Sequence, residues 1–566
     1  MKRIIYLTCI AIFAVIIGSC PQQYVIESVD PGTPVDPDTP VDPGAGDTPV
    51  GGAWIDPVYN DPSLIYIADF DNNTLCGASF SGTASGALSN TVFHSSPNSL
   101  RVYGRTAGGN GISILLANLL PPGQTISFSA WVCPTATANA VFVVNMATTA
   151  NPQGSAVNAA GPLQVKANTW THIEGDYTVP AGALWARAII RFGNSNCDFY
   201  ADDIQIKLKN GSLPDSAIQE DLPPLKDAPE FAKRNLLIGS VVNPIVLFDP
   251  SGNRQKLLLK HYNAFAPQDE LKPISVLDYD NSVKGLPDTQ EHAKLNFNQV
   301  IPAYEFAKKY NLKMMAHHMI WHTQCPDWFF YEDYNTAKGL VTKDRMLKRM
   351  ENYIKDELEW NQANYPGIVK MWSVVNEAFL TNGMNTSTLW YQTMGEDFIL
   401  HAFEYANKYR TDPEIRLVYN DFGMEKQSSK INYCMDYMSR YKVPVDGIGF
   451  QFHIDMNSQT PATLRSNLER VGPDYEVYIT EMDISGATPS DMTALQARYE
   501  AVIGAILSAN VNLKCIRSHG LTDSQSWLIN QNNDGKMEYP LLWDAENQAK
   551  PAYYGVMKAA GLDIQP

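Results

Sequence analysis

Two short apolar segments that each lead into a glutamate constrain this chain more than any other feature. The first segment covers residues 371–379 and contains an apolar run that ends in Glu377; the second covers residues 476–484 and contains a run that ends in Glu481. A run of this length between polar residues is typical of a strand that is buried on both faces. Because a buried glutamate is rare unless it is paired or used, both carboxylates are candidates for chemistry.

The placement of the two glutamates indicates what that chemistry is. In a parallel barrel, the carboxyl ends of all strands meet at one mouth, where active sites form. Two glutamates that end different strands would therefore face one another there. A facing pair of carboxyl groups is the arrangement that hydrolyses glycosidic bonds, one as acid and base and the other as nucleophile or base.

The first twenty residues have the pattern of an export signal. Lys2 and Arg3 precede an apolar stretch at 4–17 that is too short to span a bilayer comfortably. Residues 17–20 (IGSC) resemble a bacterial lipobox, which predicts lipidation of Cys20 and attachment to a membrane through lipid alone. The alternative is an ordinary signal peptide with a chance cysteine. We expect an exported bacterial lipoprotein at the outer membrane or cell surface, with the periplasmic face also open.

The remainder divides by composition into a linker and two folded regions. Residues 21–60 repeat a Val-Asp-Pro unit between 29 and 43 and predict an extended linker. Residues 61–212 show period-two alternation between Gly, Asn and Pro, which predicts a β-sandwich. A connector at 213–232 leads to 233–566. The strands expected in the sandwich are 63–70, 99–103, 125–132, 141–146, 170–177, 186–192 and 198–208.

The region from 233 to 566 alternates short apolar strands with helical stretches, as an α/β fold of the (β/α)₈ barrel type requires. The expected strands are 236–242, 264–266, 313–320, 369–375, 416–419, 447–452, 476–479 and 515–519. The expected helices are 297–310, 343–363, 388–409, 427–441, 463–471 and 490–509.

The sandwich region resembles the carbohydrate-binding modules of families 4, 9 and 22, which are jelly rolls. The likeness rests on residues 99–106 (SLRVYGRT), 127–132 (SFSAWV) and 199–204 (FYADDI). A Trp-Asn-Gly in that group is Gly-Asn-Gly at 109–111 here, so a sugar-stacking aromatic is missing. We expect Trp131, Trp170 and Trp185 to pack in the core rather than to stack on sugars.

The barrel region resembles glycoside hydrolase family 10, whose best-known members are endo-β-1,4-xylanases. The motifs that carry the resemblance, in chain order, are 317–328 (HHMIWHTQCPDW), 372–378 (WSVVNEA), 419–421 (YND), 446–454 (DGIGFQFHI), 479–483 (ITEMD), 520–527 (GLTDSQSW) and 550–554 (KPAYY). The resemblance implies retaining hydrolysis of xylan with no metal and no cofactor. It makes Glu377 the general acid/base, with a pKa raised by the charge of Glu481, and Glu481 the nucleophile.

The resemblance also assigns the surrounding residues. His453 and Asp483 would orient the nucleophile, and Asn376 would bond the sugar 2-hydroxyl. The remaining substrate-binding residues are expected to be Lys272, His317, Trp321, Gln324, Gln451, His519, Trp527, Gln268 and Asp269.

Several positions depart from the family pattern. Residues 268–272 read QDELK where the family has ENEMK, so Gln268 and Asp269 exchange an acid and an amide. His519 stands where the family has a Trp, and Gly423 where it has an Asn. The catalytic pair is kept while the subsites are changed, so two alternatives to a plain xylanase stay open. One is an enzyme that prefers decorated xylan or another β-glycan. The other is a non-catalytic lipoprotein that captures polysaccharide.

Net charge restricts the partners. The formal charge is −17, from 43 Lys and Arg against 60 Asp and Glu. Such a chain is repelled by nucleic acid and by anionic membrane surfaces. We therefore expect a monomer that binds xylan or a related β-glycan, makes no contact with nucleic acid, and meets a membrane only through its lipid.

Overall fold

The computed structural model describes residues 24–26, 56, 58–70, 74–81, 84–95, 98–117, 119–213, 217–530 and 538–565. The expected signal peptide with Cys20, and most of the linker, lie outside the described residues. The chain divides into two compact units, Met1–Leu213 and Pro214–Pro566. None of the helices that the structure describes is long and apolar enough to cross a bilayer.

The described part of the first unit is built from strands. They are Tyr24–Ile26, Leu64–Ala68, Ala78–Ser81, Ser85–Ser89, Ser99–Tyr103, Gly111–Ala117, Thr125–Pro134, Ala138–Thr148, Asn151–Val165, Thr171–Thr178, Ala183–Phe192 and Phe199–Leu208. They form two sheets with antiparallel pairing, apart from Tyr24–Ile26, which runs parallel to Ser85–Ser89.

Strict alternation of buried side chains explains why the two sheets pack face to face. Along residues 125–132 and Ala183–Phe192, every second residue is buried, so one face of each strand is apolar. Phe128 from one sheet meets Phe142 from the other with ring centroids 5.2 Å apart. The predicted β-sandwich is confirmed.

Five strands were not predicted: Tyr24–Ile26, which falls in the expected linker, and Ala78–Ser81, Ser85–Ser89, Gly111–Ala117 and Asn151–Val165. Three of them are rich in Gly, Ser, Ala or Asn, which give little apolar alternation, and Gly111–Ala117 carries consecutive apolar residues instead of alternating ones.

The expectation for the tryptophans was wrong in part. Trp131 and Trp185 occupy the outward positions of their strands and are only half-buried, because the intervening residues fill the interior. Trp131 stacks on His94 with ring centroids 3.7 Å apart. Trp170 is also partly buried and packs against the small cluster of Val92, Cys133 and Tyr200.

The second unit contains the predicted barrel. Within residues 217–530, eight parallel strands close into a ring, with the sixth pairing the seventh and the first pairing the eighth. They are β1 (Leu237–Val242), β2 (Ala264–Pro267), β3 (Lys313–Ile320), β4 (Val369–Asn376), β5 (Arg416–Asp421), β6 (Gly447–Phe450), β7 (Glu476–Ser485) and β8 (Asn512–Ser518). A short strand, His453–Asp455, pairs with the last residues of β7.

Helices surround the ring. They are Pro229–Lys233, Pro244–Leu247, Asn253–His261, Pro273–Val276, Tyr279–Lys284, Ile301–Tyr310, Lys343–Asn364, Leu389–Met394, Phe398–Tyr409, Ser428–Tyr441, Pro461–Leu468, Met492–Ser508 and Pro551–Ala559. The single helix expected over 388–409 was wrong. It is two helices, because Gly395 with φ 85° takes a conformation that ends the first.

The barrel interior is filled by side chains that point inward from the strands, as in a packed core rather than a pore. The buried cluster comprises Val241, Ala264, Ala266, Met315, Met371, Val418, Tyr478 and Cys515. This core fixes the strands, and the residues at their carboxyl ends are therefore held rigidly at one mouth.

Candidate active site

Glu377 follows β4 and is held from three sides. Its backbone adopts φ 55°, and its N–H donates to the carbonyl of Asn420 at 3.0 Å. Its carboxylate accepts from Trp321 Nε1 at 2.9 Å and from Gln451 Nε2 at 2.8 Å. Trp321, which follows β3, bonds one carboxylate oxygen, and Gln451, which follows β6, bonds the other. These two hydrogen bonds restrict rotation of the carboxyl group.

The site favours the protonated form of Glu377. Burial is the largest cause that raises its pKa, and the charge of Glu481 raises it further. The two hydrogen bonds from Gln451 and Trp321 act in the opposite direction but do not cancel burial. The sequence predicted a rise caused by the charge of Glu481, whereas desolvation is the larger cause.

Glu481 lies within β7, which continues beyond it to Ser485 rather than ending there. Its Oε1 accepts from Asn420 Nδ2 at 2.9 Å, and its Oε2 lies 3.3 Å from His453 Nε2. Burial by itself would raise its pKa, but the hydrogen bond from His453 and the positive charge of that imidazole hold it well below the usual value. There is therefore a pH range in which Glu481 is ionised while Glu377 still carries its proton.

His453 is the source of much of that stabilisation. Its Nδ1 lies 2.9 Å from Asp483 Oδ2, and the same oxygen accepts from Trp527 Nε1 at 2.6 Å. Burial lowers the pKa of His453, but Asp483 and Glu481 raise it to about 10. The imidazole is thus a cation between two carboxylates, and Trp527 fixes the outer one.

Amide side chains connect the two glutamates. Asn376 Oδ1 accepts from Asn420 Nδ2 at 2.9 Å and from Gln451 Nε2 at 3.3 Å. The same two amide groups bond Glu481 and Glu377, respectively. Asn420 was missing from the predicted site, although its position at the end of β5 was a signal that could have identified it.

A second group of polar residues lies at the ends of β2 and β3. Lys272 Nζ donates to Asp269 Oδ1 at 2.9 Å and to Gln324 Oε1 at 2.7 Å, and it lies 5.0 Å from the centroid of the Trp321 ring. Gln324 Nε2 also donates to Asp269 at 3.1 Å. Gln268 is half-buried directly after β2. The substituted Asp269 therefore neutralises Lys272 at one end of the site.

The predicted floor and the substituted wall both reach Glu481. His317 is buried on β3, with Nε2 3.0 Å from the carbonyl of Pro267 and Nδ1 3.2 Å from Arg517 Nη2. His519 follows β8, and its Nδ1 lies 3.4 Å from Glu481 Oε2. Burial lowers the pKa of His519 to about 4, so its imidazole is neutral near neutral pH.

The opposite side of the mouth is more open. A side chain added at Gly423, which follows β5, would meet open space. The adjacent Phe422 is 46% exposed, with the Lys430 ammonium 3.8 Å from its ring centroid. The structure thus places the departures from the family pattern on two sides of the catalytic pair.

An eight-stranded parallel barrel that raises the pKa of one glutamate after β4 and lowers that of another on β7 defines the class of the protein, a glycoside hydrolase. Comparison with known families identifies which one. Residues 227–559 match the model of glycosyl hydrolase family 10, and the chain belongs to that family. Residues 62–192 match a carbohydrate binding domain.

Similar proteins have consistent names. Endo-1,4-beta-xylanase B of Butyrivibrio fibrisolvens is 34% identical over 336 residues, which are 58% of this chain and 52% of that protein. Endo-1,4-beta-xylanase A of Thermoanaerobacterium saccharolyticum is 28% identical over 86% of this chain and 41% of its own length. The chain spans about half the length of these curated relatives.

A solved structure has the same barrel. The intracellular xylanase TsXylA of Thermoanaerobacterium saccharolyticum matches with a TM-score of 0.52 and 28% identity, covering 60% of this chain and 100% of that one.

Proposed function

We propose that the chain hydrolyses internal β-1,4-xylosidic linkages in xylan with retention of anomeric configuration. The observation that carries the proposal is the opposed displacement of two pKa values, with that of Glu377 raised and that of Glu481 lowered. Two carboxyl groups in different protonation states are what an acid and a nucleophile require at one pH. The xylanase names of the relatives support xylan as the substrate.

In the first step, the Glu377 carboxyl group transfers its proton to the glycosidic oxygen while the Glu481 carboxylate attacks the anomeric carbon. The bond between the anomeric carbon and the oxygen of the leaving sugar breaks, and its electron pair stays on that oxygen. An ester forms between Glu481 and the remaining sugar. His453 holds the attacking group through the contact at 3.3 Å. Asn376 is placed between both glutamates, where it would bond the 2-hydroxyl of the reacting sugar.

In the second step, the ionised Glu377 takes a proton from water, and the water oxygen attacks the anomeric carbon from the side that the leaving group vacated. The ester bond breaks, and Glu481 regains its charge. Because esterification removes the charge of Glu481, one of the causes that raise the pKa of Glu377 is absent during this step. The same residue can therefore act first as acid and then as base.

The other mouth residues would bind sugars on one side of the cleavage point. Lys272 and Gln324 present polar groups beside the Trp321 ring, which is a flat apolar surface of the kind that pyranose rings contact. His317 and Gln451 complete the floor, and Trp527 and His519 the wall next to Glu481. Gln268 borders the same side.

Product analysis tests the proposal. The full chain is incubated in parallel with plain xylan, glucuronoxylan, arabinoxylan and mixed-linkage β-glucan, and the released oligosaccharides are separated. Xylo-oligosaccharides of several lengths whose new reducing ends are initially β, seen by proton NMR, are expected. Products with an initial α anomer would contradict retention, and products from the glucan alone would contradict xylan.

Replacing His453 with alanine tests how Glu481 is kept ionised. Since His453 lowers the pKa of Glu481, its removal raises that pKa, and the attacking carboxylate becomes protonated at higher pH. We expect the acidic limb of the kcat/KM profile on xylan to move to higher pH, with kcat falling about 10²-fold. His292, which pairs with Asp356 at 2.6 Å in another part of the barrel, provides the control His292→Ala. An unmoved acidic limb in the His453 variant would contradict the assigned role.

A changed substrate preference is a second candidate, favoured by the carboxylate of Asp269 beside Lys272. A negative charge there repels the carboxylate of a glucuronic acid side chain. We expect Asp269→Asn to raise kcat/KM on glucuronoxylan about two- to fivefold relative to plain xylan, because the Asp269 carboxylate is partly exposed to solvent, which screens its charge. The exposed Asp474, at the other end of β7, is the control position. Equal ratios for Asp269→Asn and Asp474→Asn would exclude this account.

The first unit would bind the polysaccharide. This proposal has support from the match to a carbohydrate binding domain and from the half-exposed Trp131 and Trp185 on the sheet surfaces. We expect immobilised xylan to retain the full chain, and we expect this retention to be lost when one of these tryptophans is replaced by alanine. Unchanged retention in both variants would place any binding elsewhere.

Residues 1–20 would direct export, and lipidated Cys20 would anchor an otherwise soluble monomer to the outer membrane or cell surface. The lipobox-like residues 17–20 support this proposal. We expect the chain in the membrane fraction of a bacterial host and Cys20→Ser in the soluble fraction. Equal distribution of both forms would contradict lipid anchoring.

A further inference from the structure

We propose that His453, Glu481 and His519 form a binding site for a divalent transition-metal ion such as Zn²⁺, and that the bound ion would block the nucleophile. The proposal concerns a ligand that the hydrolytic reaction does not use. It holds for the chain whether or not xylan is the substrate, because the three side chains alone define the site.

The spacing of the ligand atoms fits a tetrahedral ion. Glu481 Oε2 lies 3.3 Å from His453 Nε2 and 3.4 Å from His519 Nδ1. Ligands bound to zinc at ~2.0–2.1 Å in tetrahedral geometry are separated by ~3.3 Å. All three ligand atoms lie within 4.8 Å of one another. An ion could therefore bind with little movement of the protein.

His453 also has the support that metal-binding histidines usually have. Its other nitrogen, Nδ1, lies 2.9 Å from Asp483 Oδ2, and Trp527 Nε1 donates to that oxygen at 2.6 Å. A carboxylate behind a histidine fixes the ring and makes its far nitrogen a better ligand. The arrangement that would orient the nucleophile thus also preorganises a metal ligand.

His519 supplies the unsatisfied group. Its Nδ1 is buried and, among the residues that the structure describes, makes no hydrogen bond of acceptable geometry, although Glu481 is 3.4 Å away. Leaving a buried polar atom without a partner is unfavourable. A bound cation would provide the missing partner. The site therefore depends on His519, because a tryptophan at the same position would offer no such ligand atom.

A second cluster on the other side of Glu481 is a poorer candidate. His317, His318 and Glu481 also lie close together. Both nitrogens of His317 already have partners, however, at the carbonyl of Pro267 and at the guanidinium of Arg517. That guanidinium repels a cation, so we assign the ion to the side of His453 and His519.

Occupation would stop the nucleophilic attack. The ion would coordinate Glu481 Oε2 and withdraw the electron pair that must reach the anomeric carbon. Binding releases the proton from His453 Nε2 to solvent, since a protonated imidazole nitrogen cannot coordinate. We therefore expect inhibition that EDTA reverses.

Titration calorimetry with ZnCl₂ on the metal-free full chain tests the site without substrate. One ion per chain is expected for the parent. His519→Phe and His519→Gln should each weaken that binding at least about tenfold, the loss typical even of outer partners of a metal site. His401→Gln, at a histidine beside Asp397 and Glu404 on another helix, should leave it unchanged.

A spectrum provides an independent measurement on the unmutated chain. Co²⁺ in place of zinc should give the intense visible absorption of a tetrahedral site, which His519→Gln removes. Three results would each overturn the proposal. They are equal zinc affinity in the parent and both His519 variants, loss of binding in His401→Gln, and only the weak absorption bands of octahedral cobalt in the parent. Failure to cleave xylan would affect none of these results.

Discussion

Replacing Glu481 with alanine is expected to lower kcat on xylan by on the order of 10⁵-fold, as the loss of a covalent nucleophile does in other enzymes. The reason is structural. Its Oε2 is directed by His453 and its Oε1 by Asn420, and the pKa held well below the usual value makes it the ionised member of the pair.

Initial rates on xylan and the stereochemistry of rescue measure this effect. In the alanine variant, azide can enter the vacated space and attack the anomeric carbon directly, so that an α-glycosyl azide forms from an activated β-xyloside. Glu476→Ala is a matched control, because Glu476 starts the same strand at the other end of the barrel, where it pairs with Arg416 at 2.9 Å. Turnover of Glu481→Ala at the parent's rate would exclude both enzymatic functions and favour polysaccharide capture.

Replacing Glu377 with alanine is expected to have the second-largest effect, but one that depends on the leaving group. Hydrolysis of xylan should slow about 10²- to 10⁴-fold, because the departing sugar alkoxide needs the proton that Glu377 supplies. A β-xylobioside with a dinitrophenyl leaving group needs no proton to depart, so formation of its glycosyl-enzyme should be little affected. Only the later hydrolysis, which requires a base, should slow, and a burst of dinitrophenol should precede it.

The pH dependence of the same variant provides a second measurement. The parent loses activity as pH rises through the raised pKa of Glu377, because the acid is then deprotonated before it can act. Glu377→Ala should lack this alkaline limb on xylan. An equal loss on both substrates, or an alkaline limb that persists, would show that another group delivers the proton.

Local pattern was sufficient to predict much of the fold. Seven of the eight barrel strands and the strands of the sandwich with clear alternation were predicted within a few residues, because burial on one or both faces is visible in neighbouring residues. The seventh, expected at 476–479, continues to Ser485. Asn151–Val165 was missed because its small and polar residues give no such signal. The break at Gly395 was missed because glycine inside a helical pattern is often tolerated.

By itself, the sequence determined that Glu377 and Glu481 lie toward the carboxyl ends of two strands of one barrel, and therefore that they would share a mouth. Strand order and the direction of parallel strands follow from the chain, and these suffice to bring the carboxyl ends together.

Only the tertiary structure decided how each group is ionised and what it contacts. The partners of Glu377 come from β3 and β6, those of Glu481 from β5 and the strand at His453, and the desolvation of both depends on the whole mouth. The distance of 3.4 Å between His519 and Glu481 is likewise set by the closure of β7 on β8. Desolvation and side-chain distance depend on residues remote in sequence, and no local pattern records them.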